Sequence, residues 1–420
     1  MTEISSSASV PSLADSSSLA ARMLELIAGG QATSRTELAE RLGTAASTIS
    51  LTVQRLVAQG LVAEEGTHAS TGGRPRKVLR LGGSDGYAVA ADLGGSHARI
   101  GIVVSGGSLS DVSTVPFSMA DGPETGLDRL ATILGDLAER RGPGTLAGVG
   151  VSLPGPVDIS SGSVLLPSRM PGWTGFPVRT WLEDRFGLPV AVDNDANLMA
   201  LGEHSVRPAG SRQSITVKAG TGIGVGIIAD GHVYRGATGC AGDITHVRID
   251  TAGDTPCSCG NTGCLETVAS GAALVRIFRE RGVPVTSTLD VIRLATDADP
   301  EATRTVRRAG HYLGEVLSAN VNFFNPDAVY LGGILSTLEP FVAAVRSQLY
   351  EGCHPLATEH LLIERVRLGA DAGLVGAGLL ALQRAFMTAL DSRSIPHPHP
   401  SPSLAASPSP STVPRNHVHR

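Results

Sequence analysis

The amino-acid sequence predicts a mixed α/β protein in which a small winged helix-turn-helix domain precedes a larger domain with two lobes. Residues 16–82 contain three short amphipathic helical segments and then two short strand segments. Two later units, near residues 87 and 215, each consist of strands joined by glycine-rich turns, which indicates a duplicated α/β fold. A length of 420 residues suits two or three domains.

The composition excludes several classes of protein. Lys and Arg number 34 against 39 Asp and Glu, a formal net charge of −5, which excludes nucleic-acid binding through bulk positive charge but not through a local basic patch. Only Lys77 and Lys218 are lysines. We expect no membrane contact, because no uncharged apolar run reaches about 18 residues and the first residues do not resemble a signal peptide. Five cysteines, three of them clustered, favour a metal site in a reducing compartment, so we expect a cytoplasmic protein.

The chain divides into four parts. Residues 1–15 and 391–420 are rich in Ser or in Pro, Ser and His, and we predict that both are disordered because they lack apolar periodicity. The helix-turn-helix domain is placed at residues 16–82, and the two-lobed domain at residues 86–390.

The first two helices of the small domain have local sequence signals. The first has apolar residues at helical spacing, which are Leu19, Met23, Leu24 and Ile27. The second begins after Ser34, whose hydroxyl is predicted to cap it while Glu37 reaches back in a capping box, and it ends at Gly43.

The third helix and the following hairpin carry the predicted DNA contacts. The helix covers about residues 46–59, and the strands are placed at residues 61–63 and 78–81. The inward residues are Ile49, Val53, Leu56 and Val57. The outward residues, which we expect to read base edges, are Ser47, Thr48, Leu51, Gln54 and Arg55. The wing adds Arg74, Arg76 and Lys77 for phosphate contacts. A helical dimerisation or docking domain is the alternative interpretation.

The large domain alternates strands and helices. Three successive strands from residue 87 are followed by a helix at residues 124–141 and a buried strand at residues 146–153. A second strand–turn–strand unit covers residues 215–234, and a cleft is expected between the two lobes. Neither glycine turn has the spacing of a phosphate loop or of a dinucleotide-binding fold.

A cysteine and histidine cluster predicts a zinc site. His246 is followed by Cys257, Cys259 and Cys264 in the run CSCGNTGC, which supplies four ligands for a tetrahedral ion. Gly260 and Gly263 allow the backbone to turn around it. Four protein ligands leave no open position, so we expect a structural ion; a coincidental cysteine cluster is the alternative. The remaining cysteines, Cys240 and Cys353, are predicted to be core residues.

Several motifs in this order resemble the ROK family of repressors and sugar kinases. They are Asp92–Ser96, Pro154–Val157, Met170–Trp173, Asp193–Asn197, Gly220–Gly224, the cysteine cluster ending in Glu266, and Leu331–Gly333. The resemblance covers about residues 16–390 and implies an actin-like, ribonuclease H-like ATPase fold. The helix-turn-helix domain resembles the repressor branch, which includes xylose and N-acetylglucosamine repressors.

The resemblance also implies site residues. Asp195 is where the family's kinases place the base that takes the proton from the attacking hydroxyl. The implied sugar-binding residues are Gly155, Asn194, Asp195, Asp243, His246 and Glu266. The implied nucleotide-binding residues are Asp92, Gly94, Gly95, Ser96, Gly220, Thr221, Gly222, Gly332 and Gly333.

Departures from the family's kinase pattern separate two hypotheses. His97 stands where kinases have Lys, Asp243 where they have Glu, Thr245 where they have Gly, and Arg169 where many have Asn. We expect a sugar-responsive repressor that binds an operator as a homodimer or homotetramer and takes a small sugar or sugar phosphate as its effector. The alternative is an ATP- and Mg²⁺-dependent sugar kinase with an accessory DNA-binding module.

Overall fold

The computed structural model describes residues 19–28, 31–58, 61–68, 76–81, 86–142, 144–165, 170–207 and 211–394. The predicted tail at residues 1–15 lies outside this part of the chain, as do residues 395–420. The last helix ends at Ser394, so residues 391–394, which are the first four of the predicted second tail, are helical.

The N-terminal domain is a winged helix-turn-helix, as predicted. Its elements are α1 (Leu19–Ala28), α2 (Arg35–Leu42), α3 (Ala46–Ala58), β1 (Val62–His68) and β2 (Arg76–Leu81), with the two strands antiparallel. The predicted inward residues of α3 are buried except Val57, which is 38% exposed because the helical period places it at the edge of the buried stripe.

The cap of α2 differs in one detail from the expected capping box. The Ser34 hydroxyl accepts from the Glu37 backbone N–H at 3.2 Å, as predicted, and Gly43 ends the helix with a left-handed φ of 58°. The Glu37 carboxylate instead accepts from the backbone N–H and hydroxyl of Thr33, one residue before the cap. It therefore fixes the entry of the chain into α2 rather than the cap itself.

The N-terminal lobe is built on a five-stranded sheet with the order β5-β4-β3-β6-β9. Its hairpin strands are antiparallel, whereas β3, β6 and β9 are parallel. The elements of this lobe are β3 (Gly86–Leu93), β4 (His97–Val104), β5 (Leu109–Pro116), α4 (Pro123–Arg141), β6 (Thr145–Leu153), β7 (Val157–Asp158), β8 (Ser163–Val164), α5 (Val178–Phe186), β9 (Val190–Asn194) and α6 (Asp195–Ser205).

The C-terminal lobe repeats this topology. Its sheet has the order β12-β11-β10-β13-β14, again with an antiparallel hairpin pair and then two parallel strands. The elements are β10 (Ser214–Ala219), β11 (Ile223–Ala229), β12 (His232–Tyr234), α7 (Glu266–Ala269), α8 (Gly271–Glu280), α9 (Thr288–Thr296), α10 (Pro300–Phe324), β13 (Ala328–Gly332), α11 (Glu339–Gly352), α12 (Pro355–Thr358) and β14 (Leu362–Arg365). The predicted duplication is confirmed.

The last helix, α13 (Ala372–Ser394), returns to the N-terminal lobe and packs against α6. Close approach requires glycine: a Cβ on Gly376 would collide with the carbonyl oxygen of Leu198, and one on Gly202 with that of Ala372. By length and composition residues 369–389 could cross a membrane, with a mean hydropathy of 1.3, but 56% of that segment is buried inside the protein. The helix is therefore part of the core.

The N-terminal domain is fastened to the lobes through α2. Arg41 is only 6% exposed, and its Nη1 donates to Nε2 of His204, near the end of α6, at 3.0 Å. The Nε2 of Gln31 donates to the carbonyl oxygen of Gly231, in the turn between β11 and β12, at 2.9 Å. Burial, and then the nearby Arg41 charge, lower the pKa of His204 to about 3, so the ring is neutral and accepts.

This contact predicts a specific pH dependence. The unfolded chain accepts a proton on His204 near its ordinary pKa of 6.5, whereas the folded chain resists it down to about 3. The stability contributed by the neutral ring is therefore complete above pH 6.5 and is lost as the pH falls toward about 3.

We expect His204→Gln, which keeps an acceptor but does not titrate, to lose less unfolding free energy than wild type between about pH 7.5 and pH 5 in urea titrations. The same change at the exposed His311 is the control and should follow wild type. Equal pH slopes for wild type and His204→Gln would contradict this assignment.

Candidate functional site

Three of the predicted sugar-binding residues lie together at the carboxyl ends of β6 and β9. The Oδ1 of Asn194 accepts from the backbone N–H groups of Ala196 at 2.9 Å and Asn197 at 3.2 Å, which caps α6. Its Nδ2 donates to the carbonyl oxygen of Gly155 at 2.9 Å. Gly155 has a φ of 113°, which favours glycine. Asn194 thus fixes the loop after β6 and the start of α6, where Asp195 is the first residue.

Two further predicted residues lie on the C-terminal lobe. Glu266 is 5% exposed, and its backbone N–H donates to the carbonyl oxygen of Thr245 at 3.0 Å. The Thr245 hydroxyl donates to the carbonyl oxygen of Ile223 at 2.6 Å, a bond that glycine could not make. A Cβ on Gly222 would lie 3.3 Å from Oε1 of Glu266, so this carboxylate borders the second glycine turn. Asp243 is exposed.

A lysine and two carboxylates meet where the lobes face each other. The Lys218 Nζ, on β10, lies 2.8 Å from Oδ2 of Asp195 and 3.8 Å from Oδ1 of Asp92, at the end of β3. The Ser152 hydroxyl donates to Oδ1 of Asp92 at 2.5 Å. Burial raises the pKa of Asp92, and the nearby Lys218 charge opposes this rise. Neither Lys218 nor Ser152 was among the predicted site residues.

The glycine turns occupy equivalent places in the two lobes, after β3 and after β10. The Gly94 N–H donates to the carbonyl oxygen of His97 at 2.8 Å, and the Gly220 N–H donates to that of Gly222 at 2.9 Å. Gly333, with a φ of 79°, follows β13 and packs against the end of β10. Of the other predicted nucleotide residues, Gly95, Ser96 and Thr221 lie in these turns and Gly332 is the last residue of β13.

The predicted zinc ligands converge. The ligand atoms of His246, Cys257, Cys259 and Cys264 all lie within 4.8 Å of one another. The Cys257 Sγ lies 3.4 Å from Nδ1 of His246, and the sulfurs of Cys259 and Cys264 lie 3.7 Å apart. A tetrahedral ion with ordinary bond lengths would separate two sulfurs by about 3.8 Å, and a sulfur and a nitrogen by about 3.5 Å. The group fits a tetrahedral metal ion.

The local backbone explains the convergence. Gly260 and Gly263 have φ values of 92° and 73°, so the predicted turns are present. The Cys257 N–H donates to the carbonyl oxygen of Asn261 at 2.8 Å, which closes the loop. Among the other cysteines Cys353 is buried, as predicted, but Cys240 is exposed because it lies in the irregular loop after β12. The prediction of a core role for Cys240 is wrong.

The predicted DNA-contact face of α3 is solvent-exposed. Its residues Ser47, Thr48, Leu51, Gln54 and Arg55 are all exposed, whereas α2 carries the contact to the lobes. In the wing Lys77 is exposed and pairs with Glu64 at 2.8 Å, and Glu64 also pairs with Arg35. Arg76 lies in β2, and Arg74 lies outside the described residues.

A partly buried ion pair that was not predicted also connects the lobes. The Asp193 Oδ2 accepts from Nε and Nη2 of Arg235 at 2.8 and 2.7 Å, and Asp193 is 1% exposed. Arg235 follows β12, 42 positions away, so no local spacing reveals the pair. For Lys218 a signal existed: it is one of two lysines and comes just before a glycine turn.

Comparison with known proteins agrees with this arrangement. The sequence pattern of the ROK family matches residues 88–384, and that of the MarR family matches residues 16–70. The chain belongs to the ROK family. A glucokinase from Halalkalibacterium halodurans is 32% identical over 324 residues, which span 72% of this chain and 96% of that enzyme.

Regulators of the family match more of this ROK chain. A xylose repressor from Bacillus spizizenii is 30% identical and spans 83% of this chain and 91% of its own length. The crystal structure of a ROK transcriptional regulator, a homologue of the Escherichia coli Mlc protein, is 25% identical with a TM-score of 0.68. That structure covers 89% of this chain and 99% of its own.

The cysteine cluster predicts a metal-dependent C-terminal lobe. We expect purified wild-type protein to contain about one zinc per chain and Cys259→Ser to contain almost none, with an unfolding free energy lower by about 2 kcal/mol or more. Cys240→Ser, outside the cluster, is the matched control and should keep its metal. Elemental analysis and urea unfolding give the two readouts. Wild-type protein without metal after purification in zinc-supplemented buffer would contradict this prediction.

Proposed function

We propose that this chain is a sugar-responsive, DNA-binding repressor of genes for carbohydrate metabolism. The observation that carries the proposal is the placement of the helix-turn-helix domain. Its α2 is fastened to the lobes through the buried Arg41, while the outward face of α3 stays in solvent. A domain that served only as scaffolding would have no need of an exposed, largely polar α3 next to a wing.

Helix α6 connects the two activities in this proposal. Asp195 begins it in the cleft between the lobes, and His204, nine positions later, holds Arg41 of the DNA-binding domain. An α-helix of 11 residues is about 16 Å long and moves as a rigid rod. A sugar that binds one lobe arrangement more tightly would therefore shift α6 and change the position of α3.

The sugar site in this proposal uses both lobes. Asn194, Asp195 and Gly155 would present polar groups from the N-terminal lobe to sugar hydroxyls. Glu266 and His246 would face them from the C-terminal lobe, with Asp243 at the exposed edge. The effector class is a small sugar or sugar phosphate. The relatives reported above are named for xylose and glucose, which makes these two the first sugars to test.

The cysteine cluster holds a structural zinc ion in this proposal. His246 and the three cysteines supply a full tetrahedral set, so the ion takes no substrate and instead stiffens the segment that carries Glu266. Nδ1 of His246 faces Cys257, which leaves Nε2 for a sugar hydroxyl.

A cytoplasmic homodimer or homotetramer is the form we propose for operator binding, because two-fold symmetry matches a palindromic site. Two exposed apolar side chains on the C-terminal lobe suit such an interface. Phe323 is 92% exposed and Leu356 is 75% exposed. The Asn322 Oδ1 accepts from the His354 N–H at 2.8 Å, so the segments that carry Phe323 and Leu356 lie next to each other.

A sugar kinase with an accessory DNA-binding domain is the second candidate. It is supported by Asp195 at the start of α6 and by the glycine turns after β3 and β10. An enzyme of this kind would require Asp195 to accept a proton from the sugar hydroxyl and the turns to hold ATP with Mg²⁺.

The DNA-binding surface gives a direct test. We expect Arg55→Ala and Arg74→Ala each to weaken binding to a duplex, enriched by the wild-type protein from a random library, by about tenfold. Each change removes a contact worth about 1–3 kcal/mol to a base or phosphate, and the losses should add in the double variant.

The measurement is fluorescence anisotropy at one fixed salt concentration. Arg304→Ala, an exposed arginine on α10 that pairs with Glu301, is the matched control and should bind as wild type does. Undiminished binding by the double variant would show that α3 and the wing do not form the DNA surface.

A further inference from the structure

The cleft contains a lysine ammonium at the place where a kinase of this fold needs a metal ion and a carboxylate that can act as a base. Lys218 reaches from the C-terminal lobe to two carboxylates of the N-terminal lobe, with Nζ 2.8 Å from Asp195 and 3.8 Å from Asp92. The three side chains are 21%, 14% and 13% exposed, respectively, so solvent screens the cluster only weakly.

The ammonium is charged at neutral pH. Burial by itself lowers the pKa of Lys218, but the two carboxylates, Asp195 first and then Asp92, more than reverse this and hold the pKa above its ordinary value. Asp92 has a second fixed partner in the Ser152 hydroxyl at 2.5 Å. Both carboxylates therefore already have polar partners inside the protein.

Phosphoryl transfer makes demands on these same oxygens. The sugar hydroxyl forms a bond to the γ-phosphorus, the bond between that phosphorus and the bridging oxygen breaks, and ADP leaves while the hydroxyl proton passes to a carboxylate. That carboxylate needs a free lone pair near the hydroxyl, and a Mg²⁺ ion needs anionic oxygens nearby. In this chain the Lys218 ammonium binds Oδ2 of Asp195, and its positive charge beside Asp92 opposes a second cation.

We propose that Lys218 is a built-in cation that replaces the divalent metal ion of the phosphoryl-transfer centre, so that the cleft binds sugar without phosphorylating it. The Mg²⁺–ATP pair of the family's kinases does not fit the residues present. The inference rests on the proposed function, since it explains why a sensor keeps a kinase-like cleft. The ion pair also holds the lobes together, because Lys218 lies on β10 of one sheet and Asp92 lies on β3 of the other.

Removing the lysine should create a site for a divalent cation. Lys218→Met keeps most of the side-chain volume and leaves two close carboxylates without a counter-ion. We expect about 5 mM Mg²⁺ or Mn²⁺ to raise the Tm of this variant by several degrees, reversibly with EDTA, and to leave wild type within about 1 °C. Lys77→Met, the same change at the other lysine, is the control and should follow wild type. Lys218→Arg, which keeps the positive charge, should likewise show no change in Tm when Mg²⁺ or Mn²⁺ is added.

The scans are run at constant ionic strength without DNA and without sugar, so their failure is distinct from a failure of the proposed function. A Lys218→Met protein whose Tm does not respond to Mg²⁺ or Mn²⁺ would overturn the proposal. If that variant does not fold, the test is isothermal titration calorimetry of wild-type protein with Mg²⁺–ATP. Binding with a Kd below about 100 μM, well within the range of nucleotide-using enzymes, would overturn it, and absence of binding would support it.

Discussion

One short helix connects the two ends of this molecule. The first residue of α6, Asp195, lies in the cleft and pairs with Lys218, while His204 near its end accepts a hydrogen bond from Arg41 of the DNA-binding domain. Glycine contacts hold α6 tightly against α13, so it moves with that helix rather than bending. In the proposed function, a change in polar contacts at the cleft is passed along α6 to the DNA-binding domain.

The lobes are connected by charge as well as by chain. Asp193 and Asp195, two positions apart, point to cations of the opposite lobe: the first binds Arg235 and the second binds Lys218. Asn194 between them caps α6 and fixes the loop of the cleft. A polar ligand that enters here competes with these partly exposed ion pairs for the same carboxylates. The proposed ligand site and the contacts between the lobes thus share the same carboxylates.

The sequence predicted those features that depend on local spacing. The individual helices and strands of the two domains each have their signals in a short run of residues, and the metal-ligand cluster lies between His246 and Cys264. Contacts between distant segments had no such signal, and Arg41 with His204 or Asp193 with Arg235 emerged only when the fold brought them together. Glu37 differed for a smaller reason, since its carboxylate reaches one residue farther than the capping-box pattern assumes.

The most direct test of the coupling is reciprocal titration. A sugar is first selected from D-xylose, D-glucose and N-acetyl-D-glucosamine by its effect on Tm, and its Kd is then measured by calorimetry on free protein and on protein saturated with an enriched duplex. We expect the two sugar Kd values to differ by about fivefold or more, by the same factor through which the sugar changes the Kd for DNA. Equal sugar affinities with and without DNA would contradict a connection between the cleft and the DNA-binding domain.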